Sequence, residues 1–334
     1  MNKELKRVLV TGGAGYVGSL LVPSLLEKGY KVKVFDTYWF REDIFKNIDN
    51  KNLTQVKGDI RNKDSLNEAS KGMDAIINLA CIANDPGVDL NPKLGKSINY
   101  NAFFNVISAA EENKVKRLIV ASSTSQYGIK PSDLEVTEDI EGEPITDYAR
   151  YKLECEKALN NSYVSFEYVF ARPATLAGYA PRLRLDLSVN ILTINALVNK
   201  RIKIFGTGEQ MRPMLNIKDM VRFYETLLEA DTNKINRQAF NLSYQNLSIK
   251  DLGLLVKDTL NDPSIQFELV ESNDNRSYHV NTDKVKRVLG FEFKHDLKDA
   301  IHSIREAYED GLIIDGLTNP LYYNLERMKQ LNLN

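Results

Sequence analysis

Val8-Leu9-Val10-Thr11-Gly12-Gly13-Ala14-Gly15-Tyr16-Val17-Gly18 runs from a short apolar strand through a glycine turn into the start of a helix. Glycines in such a turn let backbone N–H groups approach a pyrophosphate, whose charge then rests at the positive end of the helix. A glycine triad alone is weak, but a strand before it and a helix after it make it a dinucleotide fingerprint. Asp36 closes the next strand about 20 residues on, where an acid accepts the ribose hydroxyls of NAD and repels a 2′-phosphate. The expected cofactor is NAD, held at Gly12, Gly15, Tyr16, Val17 and Asp36, with Arg41 nearby as the cation that could tolerate NADP.

Outward from this turn, short β-rich runs alternate with helix-length amphipathic segments, the rhythm of a parallel sheet wound with helices on both faces. Strands are expected at Arg7–Val10, Lys31–Phe35, Leu53–Val56, Ala75–Asn78, Arg117–Ala121 and Val164–Phe170. Helices are expected at Tyr16–Lys28, Pro92–Asn113 and Asp147–Asn160, the last two with apolar residues at three- and four-residue spacing. The fold class is α/β: a doubly wound, Rossmann-type parallel sheet with a smaller C-terminal α/β substrate lobe. Residues 1–172 form the NAD-binding domain with the catalytic residues, and residues 173–334 form mainly the substrate lobe, with a return to the core sheet left open. Gly58-Asp59-Ile60 after the third strand places Asp59 and Ile60 by the adenine. Asn78-Leu79-Ala80 at the end of the fourth strand puts Leu79 and Ala80 along the adenosine and nicotinamide side.

Composition removes other classes. The 334 residues carry 44 basic and 45 acidic side chains, a balance that asks for neither nucleic acid nor an anionic membrane surface. No apolar run approaches the ~20 residues of a membrane span, and the first residues offer no signal-peptide core. The two cysteines, Cys81 and Cys155, and three dispersed histidines form neither a disulfide framework nor a metal-ligand spacing. A reducing cytoplasm is the expected compartment.

Tyr148-Ala149-Arg150-Tyr151-Lys152 puts Tyr148 and Lys152 one helical turn apart on one face. A free tyrosine titrates near 10, and a neighbouring ammonium favours the phenolate, so the pair can act as a base closer to neutral pH. Lys152 would also hold the nicotinamide ribose. Upstream, Ala121-Ser122-Ser123-Thr124-Ser125 ends a strand at the carboxyl edge of the sheet, where such folds bind ligands, and Ser123 is placed to bond the reacting oxygen.

In chain order, the glycine motif, Asp59, Asn78-Leu79-Ala80, Asn99, the Ser122-Ser123 strand end, the Tyr148/Lys152 pair and Arg172-Pro173 resemble the extended short-chain dehydrogenase/reductase family. Its nucleotide-sugar epimerases and dehydratases are the group resembled, over nearly the whole chain. The resemblance implies that Thr124 joins Ser123, Tyr148 and Lys152 in the catalytic set and that Asn99 joins the cofactor set. It implies a nucleotide-diphosphate sugar substrate bound by Asn84, Arg182, Asn190, Arg212 and Arg276. Two arginines suit that diphosphate because planar forks bind phosphate oxygens bidentately. It also implies a homodimer paired through the helices near Pro92–Asn113 and Asp147–Asn160.

The implied first step is removal of the sugar hydroxyl proton by Tyr148 as hydride leaves the same carbon, usually C4, for NAD. Related 4,6-dehydratases carry an Asp-Glu pair directly after the catalytic Ser/Thr, where this chain has Thr124 and Ser125, neither a useful acid or base at neutral pH. Decarboxylating relatives place a glutamate where Ser125 stands, and the epimerase-reductases of fucose nucleotides a cysteine. Hydride exchange at one carbon remains: 4-epimerisation, 4-oxidation or reduction of a 4-keto sugar. The Pro181–Leu187 loop and the tail from Asp310 resemble a branch acting in bacterial surface-polysaccharide biosynthesis, some of whose members oxidise C4 of a GDP-linked heptose. A non-catalytic dinucleotide-binding protein would not need the Tyr148/Lys152 pair, nor a small-alcohol oxidoreductase the Arg212 and Arg276 pair.

Overall fold

Strands buried on both faces must send alternate side chains into two separate apolar layers. On one face Val8, Val10, Val32, Val34, Ile77 and Ile119 pack with the helices Gly18–Glu27 and Ile217–Glu229. On the other, Leu9, Phe35, Ile76, Leu118 and Val120 pack with Lys63–Ser70, Ala102–Glu112 and Asp147–Asn160. The structure, a computed structural model, describes residues 5–131, 134–270 and 279–333. The described strands are β1 (Arg7–Thr11), β2 (Lys31–Asp36), β3 (Leu53–Lys57), β4 (Ala75–Asn78), β5 (Arg117–Ala121), β6 (Glu135–Val136) and β7 (Glu167–Pro173). The later ones are β8 (Thr175–Ala177), β9 (Arg201–Phe205), β10 (Met211–Asn216), β11 (Gln238–Leu242), β12 (Gln245–Ser248), β13 (Gln266–Val270) and β14 (His279–Val280).

Seven strands form the core sheet in the order β11-β7-β5-β4-β1-β2-β3, every pair parallel. The chain winds outward through β2 and β3, then crosses to β4 on the other side of β1. The order reverses there, and doubly wound sheets open their ligand crevice at the carboxyl ends of such a pair. The loops after β1 and β4 touch: a Cβ on Gly12 would lie 2.6 Å from the Ala80 nitrogen, and Gly12 has φ +70°. Only glycine combines that backbone with that approach.

The second half supplies both a lobe and the outermost core strand, since β11 runs beside β7. Arg117, wholly buried on β5, ties the two together. Its Nη atoms donate to the carbonyls of Leu227, Leu228 and Ala230 at the end of the helix Ile217–Glu229, and its Nε to Glu167 at 2.6 Å. A cation on the orphaned carbonyls of a helix end is favourable for both charge and hydrogen bonding. The lobe packs the small sheets β12-β10-β8 and β13-β9 against the helices Ser188–Asn199, Ile249–Leu260 and Leu297–Glu309. A C-terminal segment, the single turn Pro320–Tyr322 and the helix Asn324–Gln330, then returns to the N-terminal half. There Arg327 Nε donates to the Trp39 carbonyl at 2.8 Å and Met328 is wholly buried.

Three expected elements are corrected. The strand expected at Val164–Phe170 is Glu167–Pro173, because the ladder with β5 begins at Glu167 opposite Arg117, while the Ser165 N–H is taken by Glu111. The single helix expected over Pro92–Asn113 is broken into Pro92–Lys96, a π-helical turn at Ser97–Asn101 and Ala102–Glu112. The first helix opens at Gly18, not Tyr16, leaving Tyr16 in the glycine turn. Among the described residues no helix is long and apolar enough to cross a membrane.

Gly12→Ala forces both a positive φ on an L-residue and an overlap with the Ala80 backbone. We expect it to cost more than about 2 kcal/mol in urea unfolding. An unchanged midpoint would show that the two loops separate easily.

Candidate active site

The carboxyl ends of β1, β4, β5 and β7 open onto a cavity of about 850 Å³, of the size proteins use for small ligands. Gly12, Tyr16, Val17 and Gly18 line one end, and Leu79, Cys81, Ser123, Thr124, Tyr148 and Lys152 the middle. The lobe contributes Arg182, Arg184, Gln210 and Arg212, and the C-terminal segment contributes Tyr323, Asn324, Leu325 and Glu326.

Thr146 caps the helix Asp147–Asn160, its hydroxyl accepting from the Ala149 N–H at 3.3 Å while also donating to Asp85 at 2.7 Å. That start places Tyr148 in the first turn and Lys152 directly below it, with the Lys152 Nζ 5.7 Å from the Tyr148 ring centre. Lys152 donates to the Ala121 carbonyl at 2.7 Å, which ties the pair to the end of β5. Burial drives the Tyr148 phenol above its ordinary value, and the Lys152 charge pulls it back. Burial also opposes the Lys152 charge, yet Cys81 and Tyr148 hold its pKa above the ordinary lysine value.

Ser123 faces the same cavity in extended backbone and caps the short turn Thr124–Tyr127. Its Oγ accepts from the Ser125 N–H at 3.1 Å and the Ser125 hydroxyl at 2.9 Å. Thr124 donates to the Pro173 carbonyl at 3.2 Å. Beneath this strand end lies a buried polar cluster. Glu156 accepts from Ser122, from Gln126 at 3.0 Å and from Arg172, which also donates to Tyr127 at 2.7 Å. This carboxylate raises the Arg172 pKa against burial.

At the cofactor end, the glycine turn passes the fit test for a dinucleotide. Gly12 and Gly18 leave no room for side chains, and Val17 supplies no side-chain cap to the helix it opens. Asp36 accepts from the Ala14 N–H at 2.9 Å and the Tyr38 N–H at 2.7 Å, so it braces the glycine turn from behind while burial raises its pKa. Asp59, expected beside the adenine, is paired with Arg61 at 2.6 Å. Burial would raise its pKa, but that guanidinium holds it below the usual carboxylate range. Ile60 is buried in the core. Gly15 and Ala80 stand in the two loops, with the Gly15 N–H donating to the Gly12 carbonyl at 3.1 Å.

Several other expected residues make bonds within the protein. Asn99, in the π-helical turn, clamps Ile82 by accepting from its N–H at 2.8 Å and donating to its carbonyl at 3.0 Å, shaping the loop after β4. Asn190, expected at the diphosphate, is wholly buried. Its amide bonds Gly178 at 2.9 Å, Tyr16 at 3.0 Å and Arg184 at 2.8 Å. Asn84 accepts from the Gly87 N–H and donates to Asp186 at 3.2 Å, and it lines the cavity. Arg212 lies on β10 in the cavity wall, while Arg276 lies outside the described residues.

Arg184 and Asp186, in the cavity wall and joined by bonds of 2.9 and 3.0 Å, escaped the sequence reading, as did Asp85, Cys81 and Asn324. The signal was present for one pair: residues two apart in a non-helical run share a side.

A model of the NAD dependent epimerase/dehydratase family matches residues 8–243. A UDP-glucose 4-epimerase of Lactobacillus helveticus is 28% identical over 322 residues, covering 88% of this chain and 94% of the relative. UDP-glucuronic acid decarboxylase 1 of Xenopus tropicalis is 26% identical over 323 residues, covering 92% and 74%. The solved UDP-N-acetylglucosamine 4-epimerase from Methanobrevibacter ruminantium M1, in complex with UDP-N-acetylmuramic acid, superposes with a TM-score of 0.80. It is 25% identical, with 92% of this chain and 99% of that one covered.

Lys152 lowers the Tyr148 pKa, so removing the charge must raise it. If the phenolate is the base, turnover rises with pH through that pKa, and Lys152→Met should move the rising limb of a kcat profile to higher pH. Tyr148→Phe should lower turnover by at least about 100-fold while leaving NADH affinity within about twofold. A Lys152→Met profile that keeps its limb in place would take the ammonium out of the proton transfer.

Proposed function

The chain belongs to the NAD dependent epimerase/dehydratase family, and from that premise we propose that it exchanges hydride at C4 of a nucleotide-diphosphate sugar, as a 4-epimerase or 4-dehydrogenase. The observation that carries this reading is the turn after β5, where the positions following Ser123 present only hydroxyls, Thr124 and Ser125, to the cavity holding Tyr148 and Lys152. When bound, oxidised NAD supplies the hydride acceptor and a positively charged ring.

Tyr148 takes the proton of the sugar hydroxyl, Lys152 favours the phenolate, and Ser123 holds the oxygen from which that proton leaves. Arg212, in the cavity wall, faces the diphosphate in this reading. For a 4-epimerase, the sugar must turn within the cavity and receive hydride on its other face. For a dehydrogenase, the ketone is released. A homodimer through the helices Ala102–Glu112 and Asp147–Asn160 belongs to the same reading, supported by Phe104, a large apolar side chain left 44% exposed there.

Asp85 favours one competing reading. This cavity-lining carboxylate contributes to the field at Tyr148, and it could serve as the base for loss of water from C5 and C6.

Incubation of the purified protein with UDP- and GDP-sugars, followed by proton NMR and nicotinamide absorbance, tests the proposal. We expect a 4-epimer without net NADH, or a 4-ketone with NADH in equal amount. A 4-keto-6-deoxy product abolished by Asp85→Asn would replace it with dehydration. In the same assay Arg212→Ala should weaken nucleotide-diphosphate binding about ten- to hundredfold and spare NADH.

A further inference from the structure

Arg182 is only 3% exposed, yet among the described residues no carboxylate lies within ion-pair distance of it. One Nη atom donates to Asn324, the guanidinium lies over the Phe40 ring with its carbon 4.3 Å from the centre, and the Nε has no partner. Its neighbour Arg184 is the contrast: equally enclosed, it is matched by two bonds to Asp186 and one to the Ala83 carbonyl. Asp186 and Asp36 act on this guanidinium only from a distance, and a desolvated guanidinium with no anion in contact and an unpartnered Nε is unfavourable.

Position says which anion. The Arg182 N–H donates to the Ser19 hydroxyl at 3.2 Å, in the first turn of the helix that the glycine turn opens. Its side chain shares the cavity wall with Tyr16, Val17, Gly18 and Phe40.

We propose that Arg182 is the counter-charge for the pyrophosphate of the dinucleotide, and that Asn324, from the C-terminal segment, aims its fork. This rests on the glycine turn holding NAD, and it moves Arg182 from the substrate, where the resemblance put it, to the cofactor. The anion is therefore met from two sides, by helix N–H groups below and by one planar fork above. Because the fork is held by a residue of the C-terminal segment, that segment is part of the cofactor site. Burial and the nearby Arg184 charge push the Arg182 pKa down to about 9 in the absence of an anion, and a bound pyrophosphate would push it back up.

Affinities for NADH, ADP-ribose, adenosine and UDP, measured by calorimetry on the full chain stripped of dinucleotide, test this. Arg182→Met should weaken NADH and ADP-ribose about ten- to hundredfold and leave adenosine and UDP unchanged, since only the pyrophosphate contact is lost. Asn324→Asp leaves the arginine in place but gives it a carboxylate. It should weaken ADP-ribose in the same direction without lowering the melting temperature, and it decides alone if Arg182→Met does not fold. Wild-type ADP-ribose affinity in both variants, or loss of UDP binding with ADP-ribose spared, overturns the assignment. Failure of the wild-type chain to bind NADH and ADP-ribose at all overturns the dinucleotide site itself.

Discussion

The contact between the loops after β1 and β4 governs this molecule. Gly12 approaches the Leu79–Ala80 peptide so closely that no side chain fits, and the same residue donates its N–H to the Phe35 carbonyl at 2.9 Å. Three adjacent strands, β2, β1 and β4, therefore end at one level, and their loops form one continuous floor. Thr11 bonds Asn78 across the same seam at 2.6 Å, so the floor is braced by side chains as well as backbone. The glycine turn and the wall leading to Tyr148 are set by that junction rather than by separate devices.

The neighbouring strand end solves a different problem. Ser123 must present a hydroxyl to the cavity, but a strand end frays unless something beneath it is held. Glu156, Arg172, Gln126 and Tyr127 form that support, with Tyr127 passing a further bond of 2.8 Å to Asn241 on the outermost strand β11. Losing one partner of such a pair leaves a desolvated charge and costs several times what the intact pair contributes. The strand end that carries Ser123 is thus supported by residues outside the cavity lining and by a strand from the second half of the chain.

The core sheet was legible because its signals are local: β-rich runs, a glycine turn and an i, i+4 pair all fall within short windows. The ends of β1–β5 were read to within one residue and those of β7 to within three, since apolar Val164 looks like strand but pairing with Arg117 begins only at Glu167, while the outer strand β11 was not placed. What escaped was set by distant contacts. Asn190 sits at a plausible diphosphate position, but Tyr16, 174 residues away, claims it. The π-helical turn at Ser97–Asn101 follows no sequence rule used for ordinary helices, and it is where Asn99 turns inward to hold Ile82. Arg184 and Asp186 lay within the loop noted for its resemblance but were not singled out, since nothing local says that the C-terminal segment closes over them, with the Asn324 N–H on Asp186 at 3.3 Å.

That closure has a consequence for how the protein is made. Arg327 reaches the Trp39 carbonyl across 288 residues of chain. At ~5–20 residues per second, a ribosome leaves the Trp39 loop waiting on the order of 15–60 s for its partner. In the course of that interval the core strands β3–β5 and the Tyr148/Lys152 helix are synthesised, while the C-terminal segment that packs on the first half is still missing. Met328, which packs beside Gly87 in the folded chain, is added only after that interval. The contacts that tie the C-terminal segment to the first half can therefore form only once Asn324–Gln330 has been translated.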